Sequence, residues 1–530
     1  MIQFKLIYIF TLIQYVLANK APDINSITNR PLIHYTPEKG WMNDPNGLFY
    51  DKKDKIWHLY FQYNPNDTVW DLPLYWGHAT SKDFVNWEHH DVAISPKNNN
   101  EGIYSGSIVI DYNNTTGFFN KSIDPNQRIV AIYTNNIPNL ETQDIAYSID
   151  GGYTFIKYEN NPVINVNSSQ FRDPKVFWHE ETNQWIMVVS KSQEYKIQIF
   201  GSTNLKNWKL HSNFTSGYYG YQYECPGLIK VPIEKSSEYK WVMFLAINPG
   251  SPIGGSANQY FIGDFDGYKF KVYDNQTRFM DLGKDFYAFQ TFSDVDIQNH
   301  GVLGLAWASN WQYANRVPDT DNYRSSMSLV RNYTLAYVPN NPETKLLTLI
   351  QKPVLGNSLK ISSTINKKDI VMNTTTFIEL KSNSINDIFD FDITFKVINP
   401  SVSHKNNSNF DIIIGSPKNE NIKLGFDPVA QAFYVDRGIP NNKFYKNPFF
   451  TDKLSTYLEP FSYDENNYGS YQVYGLIDRN IIELYFNNGS TTMTNTFFMS
   501  KGNLPNSIKI LTSIDDVFKI EDANIRILSL

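Results

Sequence analysis

The stretch SKDFVNWEHHD, residues 81–91, sets a turn-forming cluster ahead of Trp87 and the strand that it leads. The same order returns in SIDGGYTFIKYEN (148–160), STNLKNWKLHS (202–212) and GDFDGYKFKVYDN (263–275). The anchoring aromatics Trp87, Phe155, Trp208 and Phe270 stand 68, 53 and 62 residues apart. A turn and an aromatic-led strand recurring at that interval fit a four-stranded propeller blade whose loops exceed those of the usual repeat of about 40–50 residues. Between the repeats run alternating segments such as WHLYFQY (57–63), SIVIDY (107–112), IVAIYT (129–134), WIMVVSKS (185–192) and WVMFLAIN (241–248), while amphipathic helical spacing is nearly absent. The chain is therefore expected to be all-β, with a five-bladed β-propeller over residues 25–350.

Beyond a linker at 351–359 the texture changes. Trp disappears and Lys, Asn and Ser rise, while short alternating strands continue in FDFDITFKVI (389–398), FDIIIGS (410–416) and IIELYFNNG (481–489). Strands at this spacing with turn signals predict a β-sandwich over 360–530. No catalytic motif stands out in it.

The chain opens MIQFKLIYIFTLIQYVLANK, with Lys5 ahead of an apolar run from Leu6 to Ile13 and small-residue context at Ala18. The run is too short to span a bilayer and predicts a signal peptide over 1–18, hence a secreted protein of the extracellular, cell-wall or periplasmic space. Asn-x-Ser/Thr sequons at Asn66, Asn113, Asn114, Asn120, Asn167, Asn213, Asn275, Asn332, Asn373, Asn406 and Asn488 are then glycan acceptors wherever they are exposed. A single cysteine, Cys225, excludes an intramolecular disulfide, so stability must come from buried cores. A net charge of −6 without a long basic run argues against nucleic acid or an anionic membrane as partner. The 15% aromatic content suits β-structure and also sugar binding, where a ring face packs on the apolar face of a saccharide.

Three acids sit in unusual settings: Asp44 in WMNDPNGLFY (41–50), Asp173 in QFRDPKVFW (170–178) and Glu224 in YQYECPGL (221–228). Each lies beside or one residue away from a proline, among aromatics. Singly, each has a plainer reading. Asn-Asp-Pro-Asn-Gly suits a tight turn, Asp173 could pair with Arg172 or Lys175, and Glu224 could be a half-exposed strand residue beside a buried Cys225. In a propeller, however, the innermost strands aim side chains into one axial funnel, so acids on different blades can converge. Three such acids in a secreted β-protein point to glycoside hydrolysis.

The motifs WMNDPNGL, FQYNPN, YWGHATSKDFVNW, YSGS, FRDPK, YECPGL and AWASNW, in this order, resemble fungal β-fructofuranosidases of glycoside hydrolase family 32, the invertases and inulinases. The resemblance runs from Arg30 to Arg331 and is looser to the C-terminus. It implies that Asp44 is the nucleophile, Glu224 the general acid/base and Asp173 the transition-state stabiliser. It also implies a fructose pocket shaped by Trp41, Met42, Asn43, Gln62, Tyr104, Ser105, Arg172 and Trp311, with Trp70, Trp76 and Gln222 toward the rim. The charge of Asp44 and an apolar wall are expected to keep Glu224 protonated, and Arg172 to keep Asp173 ionised. Asp71 and Tyr323 stand where many relatives carry Gly and Trp, so the rim need not copy any one of them.

His78 has no second His or Cys at ligand spacing and reads as a structural hydrogen-bonding residue, and no EF-hand loop appears. No metal or cofactor is expected. The expected partners are sucrose and related fructosides, together with further copies of the same chain meeting through the sandwich in a dimer or larger homo-oligomer. An inulinase or a fructosyltransferase would use the same three acids. A sialidase-type propeller would need a Tyr nucleophile and an arginine cluster, and only Arg172 stands out. A non-catalytic carbohydrate-binding glycoprotein on the same scaffold is the alternative of another class, which a missing acid would have favoured.

Overall fold

The computed structural model describes residues 28–318, 322–403, 408–439 and 443–530. The expected signal peptide and Asn406 lie outside them. Five sheets form a propeller and two more form a sandwich, with only two α-helices, Ile297–His300 and Pro400–Ser403, and a few 3-10 turns among the described residues. The innermost strands of blades I to V are Gly40–Asp51, Gly102–Ile110, Phe171–His179, Tyr223–Pro232 and Tyr287–Thr291. Each blade then runs outward by antiparallel neighbours.

The sequence repeat marks the outermost strands. Trp87 and Phe270 begin the outer strands of blades I and IV, and Phe155 and Trp208 immediately precede those of blades II and III. The turn before each has one physical basis, a short acidic or amide side chain that accepts the backbone N–H groups ahead of it. Asp83 Oδ1 accepts from Val85 and Asn86, Asp150 Oδ1 from Tyr153 and Thr154, Asn204 Oδ1 from Lys206 and Asn207, and Asp266 Oδ1 from Tyr268 and Lys269. The indoles of Trp87 and Trp208 then donate back to the carbonyls of Phe84 and Leu205. Blade V keeps the turn, with Asn341 Oδ1 accepting from Glu343 and Thr344, but its outer strand begins at Lys345 instead of an aromatic.

The ring closes where the backbone of Ser293, past the inner strand of blade V, exchanges hydrogen bonds with Leu48 and Tyr50 of blade I. A short parallel strand, Tyr323–Arg324, flanks Gly40–Trp41 there, and the Arg30 guanidinium sits 3.7 Å from the Tyr323 ring centroid. Tyr323, buried, thus belongs to the closure and not to a rim.

The sandwich stacks a sheet ordered Lys360–Val371, Phe518–Ser529, Ile388–Val397, Gly469–Asp478, Ile481–Phe486, Thr491–Thr496 on one ordered Ile378–Lys381, Ser507–Thr512, Phe410–Gly415, Asn421–Asp427, Ala432–Asp436, Lys453–Tyr457. Alternate residues such as Phe391, Ile393, Phe395 and Ile412, Ile414 face inward and are fully or almost fully buried, as aligned sheet packing requires.

The seam between propeller and sandwich is charged and buried. Arg331 bonds Asp281 (3.1 Å) and Glu483 (2.8 Å), and its guanidinium lies 4.3 Å from the Phe286 ring centroid. His34 bridges Asp478 (2.9 Å) and Glu483 (3.3 Å), and Arg437 bonds Asp285 (2.6 Å), which also accepts from Tyr313. The side chains of Arg331, Arg437, His34, Asp285, Asp478 and Glu483 are entirely buried. Burial works to lower the His34 pKa, but hydrogen bonds and charge from Asp478 and Glu483 outweigh it and raise it to about 9. Burial likewise works to raise Glu483, yet the Arg331 charge and His34 bring it down to about 2.

Candidate active site

The stretch WMNDPNGLFY is not a tight turn but part of the inner strand of blade I. Between Met42 and Pro45 the strand advances three residues while its neighbour advances two, from Tyr63 to Phe61. This is a β-bulge, and it lifts Asn43 and Asp44 out of the ladder. The other four inner strands do the same at the same level. The register shifts fall between Ile103 and Gly106, Arg172 and Lys175, Glu224 and Gly227, and Tyr287 and Gln290. The lifted pairs are Tyr104 and Ser105, Asp173 and Pro174, Cys225 and Pro226, and Ala288 and Phe289. In blades III to V the first lifted residue is left-handed, with φ of 67° at Asp173, 46° at Cys225 and 53° at Ala288. Backbone of that kind costs a non-glycine residue about 1–2 kcal/mol and persists where packing over-determines it. The prolines beside the acids follow from the same geometry, because an inner strand is an edge strand and a proline there removes an N–H with no ladder partner.

Three of the bulges deliver the acids to one cleft of about 480 Å³ at the N-terminal ends of the inner strands. Asp44, Asp173 and Glu224 line it together with Asn43, Gln62, Tyr104, Ser105 and Arg172, and Trp70, Gln222 and Trp311 also reach it. Trp41, Met42 and Trp76 do not, being completely buried. The Trp41 indole supports the floor by donating to Asn43 Oδ1 (2.8 Å), Met42 packs into the core of blade I, and the Trp76 indole donates to the Tyr104 carbonyl (3.0 Å). Asp71 is exposed and caps its own turn at Leu72 N. His78 packs face to face on Tyr60 with ring centroids 4.4 Å apart and lies 3.0 Å from His58.

Each acid has its own set of donors. Asn43 Nδ2 (2.9 Å) and Ser105 Oγ (2.7 Å) donate to the two oxygens of Asp44, and the Cys225 thiol approaches at 3.6 Å. Burial raises the Asp44 pKa, and these three donors oppose the rise. Glu224 accepts from Tyr287 OH (2.5 Å), Gln222 Nε2 (3.0 Å) and Arg172 Nε (3.2 Å). Burial raises its pKa as well, against Arg172 and Tyr287 and with the Asp44 charge. Asp173 accepts from Cys225 N (2.9 Å), while burial and then the Glu224 charge push it up.

Arg172 departs from the sequence expectation. Its guanidinium grips Glu141 at 2.7 and 2.9 Å and touches Glu224, and makes no bond to Asp173. It is spent on orienting Glu224, and its charge lowers Asp173 only in part. Glu141 and Tyr287 were missed by sequence reasoning. Glu141 sits mid-strand in LETQDIAYS without any motif, and Tyr287 looks like one more alternating aromatic. Cys225 touches Asp44 and Asp173 and not the acid that precedes it. Among the described residues no group of His, Cys, Asp and Glu is arranged to hold a metal ion.

Comparison with known proteins bears on both halves of the chain. Residues 34–353 match the Glycosyl hydrolases family 32 N-terminal domain and residues 357–525 the family 32 C terminal. An invertase from Debaryomyces hansenii is 62% identical over 94% of each chain, and an extracellular exo-inulinase from Meyerozyma guilliermondii is 55% identical over 94% of this chain and 95% of that one. A β-fructofuranosidase from Schwanniomyces occidentalis, solved with fructosyl-erythritol, superposes with a TM-score of 0.92 at 63% identity, covering 96% of this chain and 99% of that one.

Proposed function

The chain belongs to glycoside hydrolase family 32 as a β-fructofuranosidase, and from that premise we propose that it hydrolyses terminal β-D-fructofuranosides, sucrose among them, by double displacement with retention. One observation carries the reading: three carboxyl groups, set at the bulges of three inner strands with Asp44 and Asp173 lifted and Glu224 one residue ahead of its bulge, face one cleft in which Arg172 bonds Glu224.

The Asp44 carboxylate attacks the anomeric C2 of the bound fructosyl unit while Glu224 gives its proton to the departing glycosidic oxygen. The C2–O bond to the leaving sugar breaks as the ester to Asp44 forms. Glu224, now ionised, takes a proton from water. The resulting hydroxide closes on C2, fructose leaves, and Asp44 is returned as a carboxylate. Asn43 and Ser105 fix the nucleophile in its attacking pose. Tyr287, Gln222 and Arg172 hold Glu224, and the balance of burial against these donors lets it cycle between proton donor and base. Asp173, on a left-handed bulge and with raised proton affinity, serves as the acceptor for fructose hydroxyls.

The enzyme is further proposed to be secreted and to act as a homodimer or larger assembly. The apolar run of residues 6–13 and the extracellular relative support secretion, and no helix among the described residues is long and apolar enough to cross a membrane. Exposed Phe449, Tyr457, Phe461 and Tyr463 on the sandwich support a subunit contact there. Incubation with sucrose, raffinose and inulin should release fructose from each, with water or a second sugar as acceptor resolved by product analysis over time. Absence of fructose release from all three would sink the reading. Light scattering at micromolar concentration should return at least twice the mass of one chain.

A further inference from the structure

The inner strands of blades II to V end, on the face opposite the cleft, around a second cavity of about 580 Å³. No group of the proposed mechanism reaches it. Its wall is aromatic, with half-buried Trp178 edge-to-face on Trp185 at 5.0 Å and Trp241 against Phe177 at 5.4 Å. Glu180, Asn183 and Lys230 also line it, each of them exposed or half-buried, and buried Lys175 contributes too, its Nζ donating to the Thr291 carbonyl (2.6 Å). An aromatic wall with polar groups around it is the chemistry that receives a sugar ring, whose apolar face stacks while its hydroxyls hydrogen-bond.

The chain itself brings a candidate sugar to this place. Exposed Asn113 lines the cavity and opens the sequon Asn113-Asn114-Thr115, which overlaps Asn114-Thr115-Thr116. The two acceptors differ. Asn114 is left-handed (φ 52°), and its carboxamide is committed at both ends to Phe119, donating to its carbonyl at 2.7 Å and accepting from its N–H at 3.1 Å. A sugar on that nitrogen would crowd the pair apart. Thr115 meanwhile accepts from the Trp185 indole (3.0 Å), which ties the Asn113 loop to the aromatic wall.

We propose that Asn113 carries an N-linked glycan whose core folds into this cavity against Trp178, and that Asn114 stays bare. The inference rests on the reading that the protein is secreted. The donor is a lipid-pyrophosphate oligosaccharide: its C1–O bond to phosphate breaks, the C1–Nδ2 bond to Asn113 forms, and one amide proton leaves. Asn113 is thereby protected, whereas the exposed sequons Asn66 and Asn275 hold their glycans in solvent.

The test uses full-length protein secreted from a eukaryotic host, with glycopeptide mass spectrometry before and after native digestion by an endo-β-N-acetylglucosaminidase. Asn113 should be occupied and Asn114 unmodified. The Asn113 glycan should be trimmed at least about tenfold more slowly than that of Asn275, the protection conferred by a seating free energy near 1.4 kcal/mol. Trp178→Ala, or Trp178→Leu should the first fold poorly, should bring the two rates together. Bare Asn113 beside occupied Asn66 and Asn275, or equal trimming rates in the wild type, overturns the proposal alone. A chain bare at every sequon overturns it together with secretion. Slow trimming at Asn113 that Trp178→Ala and Trp178→Leu both leave unchanged overturns the placement against Trp178.

Discussion

Around the cleft lie four carboxyl groups, Asp44, Glu141, Asp173 and Glu224, and one guanidinium, that of Arg172, which pairs with Glu141 and Glu224 and acts on Asp173 through charge alone, whereas at the seam Asp281, Asp285, Asp478 and Glu483 face Arg331, Arg437 and His34. Both places are buried, so burial penalises ionised acids in both. The outcome turns on the supply of cations. In the cleft all four acids are pushed up, and at the seam Asp478 and Glu483 are pulled down. A cluster starved of cations has its proton affinities raised and can exchange protons with a substrate. A cluster supplied with cations holds its charges fixed and joins two domains.

The comparison is tested most severely by removing one acid from the cleft. Asp44→Asn should lower kcat at least about 1,000-fold while the fold survives, with a thermal midpoint equal to or above the wild type, since a charge that burial disfavours has gone. Near-normal turnover in the folded variant would take Asp44 out of the chemistry. At the seam the signs reverse. Arg331→Met strands Asp281 and Glu483 and should cost about 3–5 kcal/mol in urea unfolding, while kcat of the folded fraction stays within about twofold, because no bond links Arg331 to the cleft.

The pH dependence of stability follows from the seam values. The folded pKa of Glu483 is depressed, so its contribution is full above the unfolded value of 4.5 and is lost as pH falls toward about 2. The folded pKa of His34 is raised, so its contribution is full below 6.5 and is lost as pH rises through about 9. Both act together between 4.5 and 6.5. His34→Gln should lower stability most in that window and erase the part of the alkaline decline between 6.5 and 9, as read from thermal midpoints against pH. A decline unchanged in the variant would assign it to other groups.

Activity should follow a bell-shaped kcat/KM profile whose alkaline limb belongs to Glu224. Tyr287→Phe removes a donor to the ionised form of Glu224, so that limb should move to higher pH with kcat down by less than about tenfold. The smallest effect is expected at Cys225. Its thiol is a weak donor to Asp44, so Cys225→Ala should raise the acidic limb slightly and leave the alkaline limb in place. Movement of the alkaline limb instead would connect the thiol to Glu224 in solution.

Much of the propeller was legible because each of four blades writes its outer turn and anchoring aromatic into contiguous residues. The fifth blade was silent, since Asn341 keeps the turn but Lys345 replaces the aromatic. The three acids were legible through proline and aromatic neighbours whose cause, the bulge, was not. Register is a property of two strands, and no local pattern in WMNDPNG separates a bulge from a turn. Glu141 and Tyr287 were hidden for the same reason, because they meet Arg172 and Glu224 only after the blades close. The seam was invisible altogether. His34 and Asp478 lie 444 residues apart, and the sandwich that looked free of chemistry supplies both Asp478 and Glu483.

The bulges form a five-position chuck whose working residues sit at two places in it, Asp44, Ser105 and Asp173 on lifted positions and Glu224 and Tyr287 one residue ahead of theirs. Blade V bends its backbone at Ala288 as blades III and IV bend theirs, with φ of 53°, yet presents a methyl group that is 2% exposed. Ala288 packs with Trp41 and Trp307 and does not line the cleft, so the bend serves the residue before it, Tyr287, which reaches Glu224. The blank jaw of the chuck is thus a fulcrum, and a larger side chain placed on it would press on Trp41 and the floor beneath Asn43 before it met a sugar.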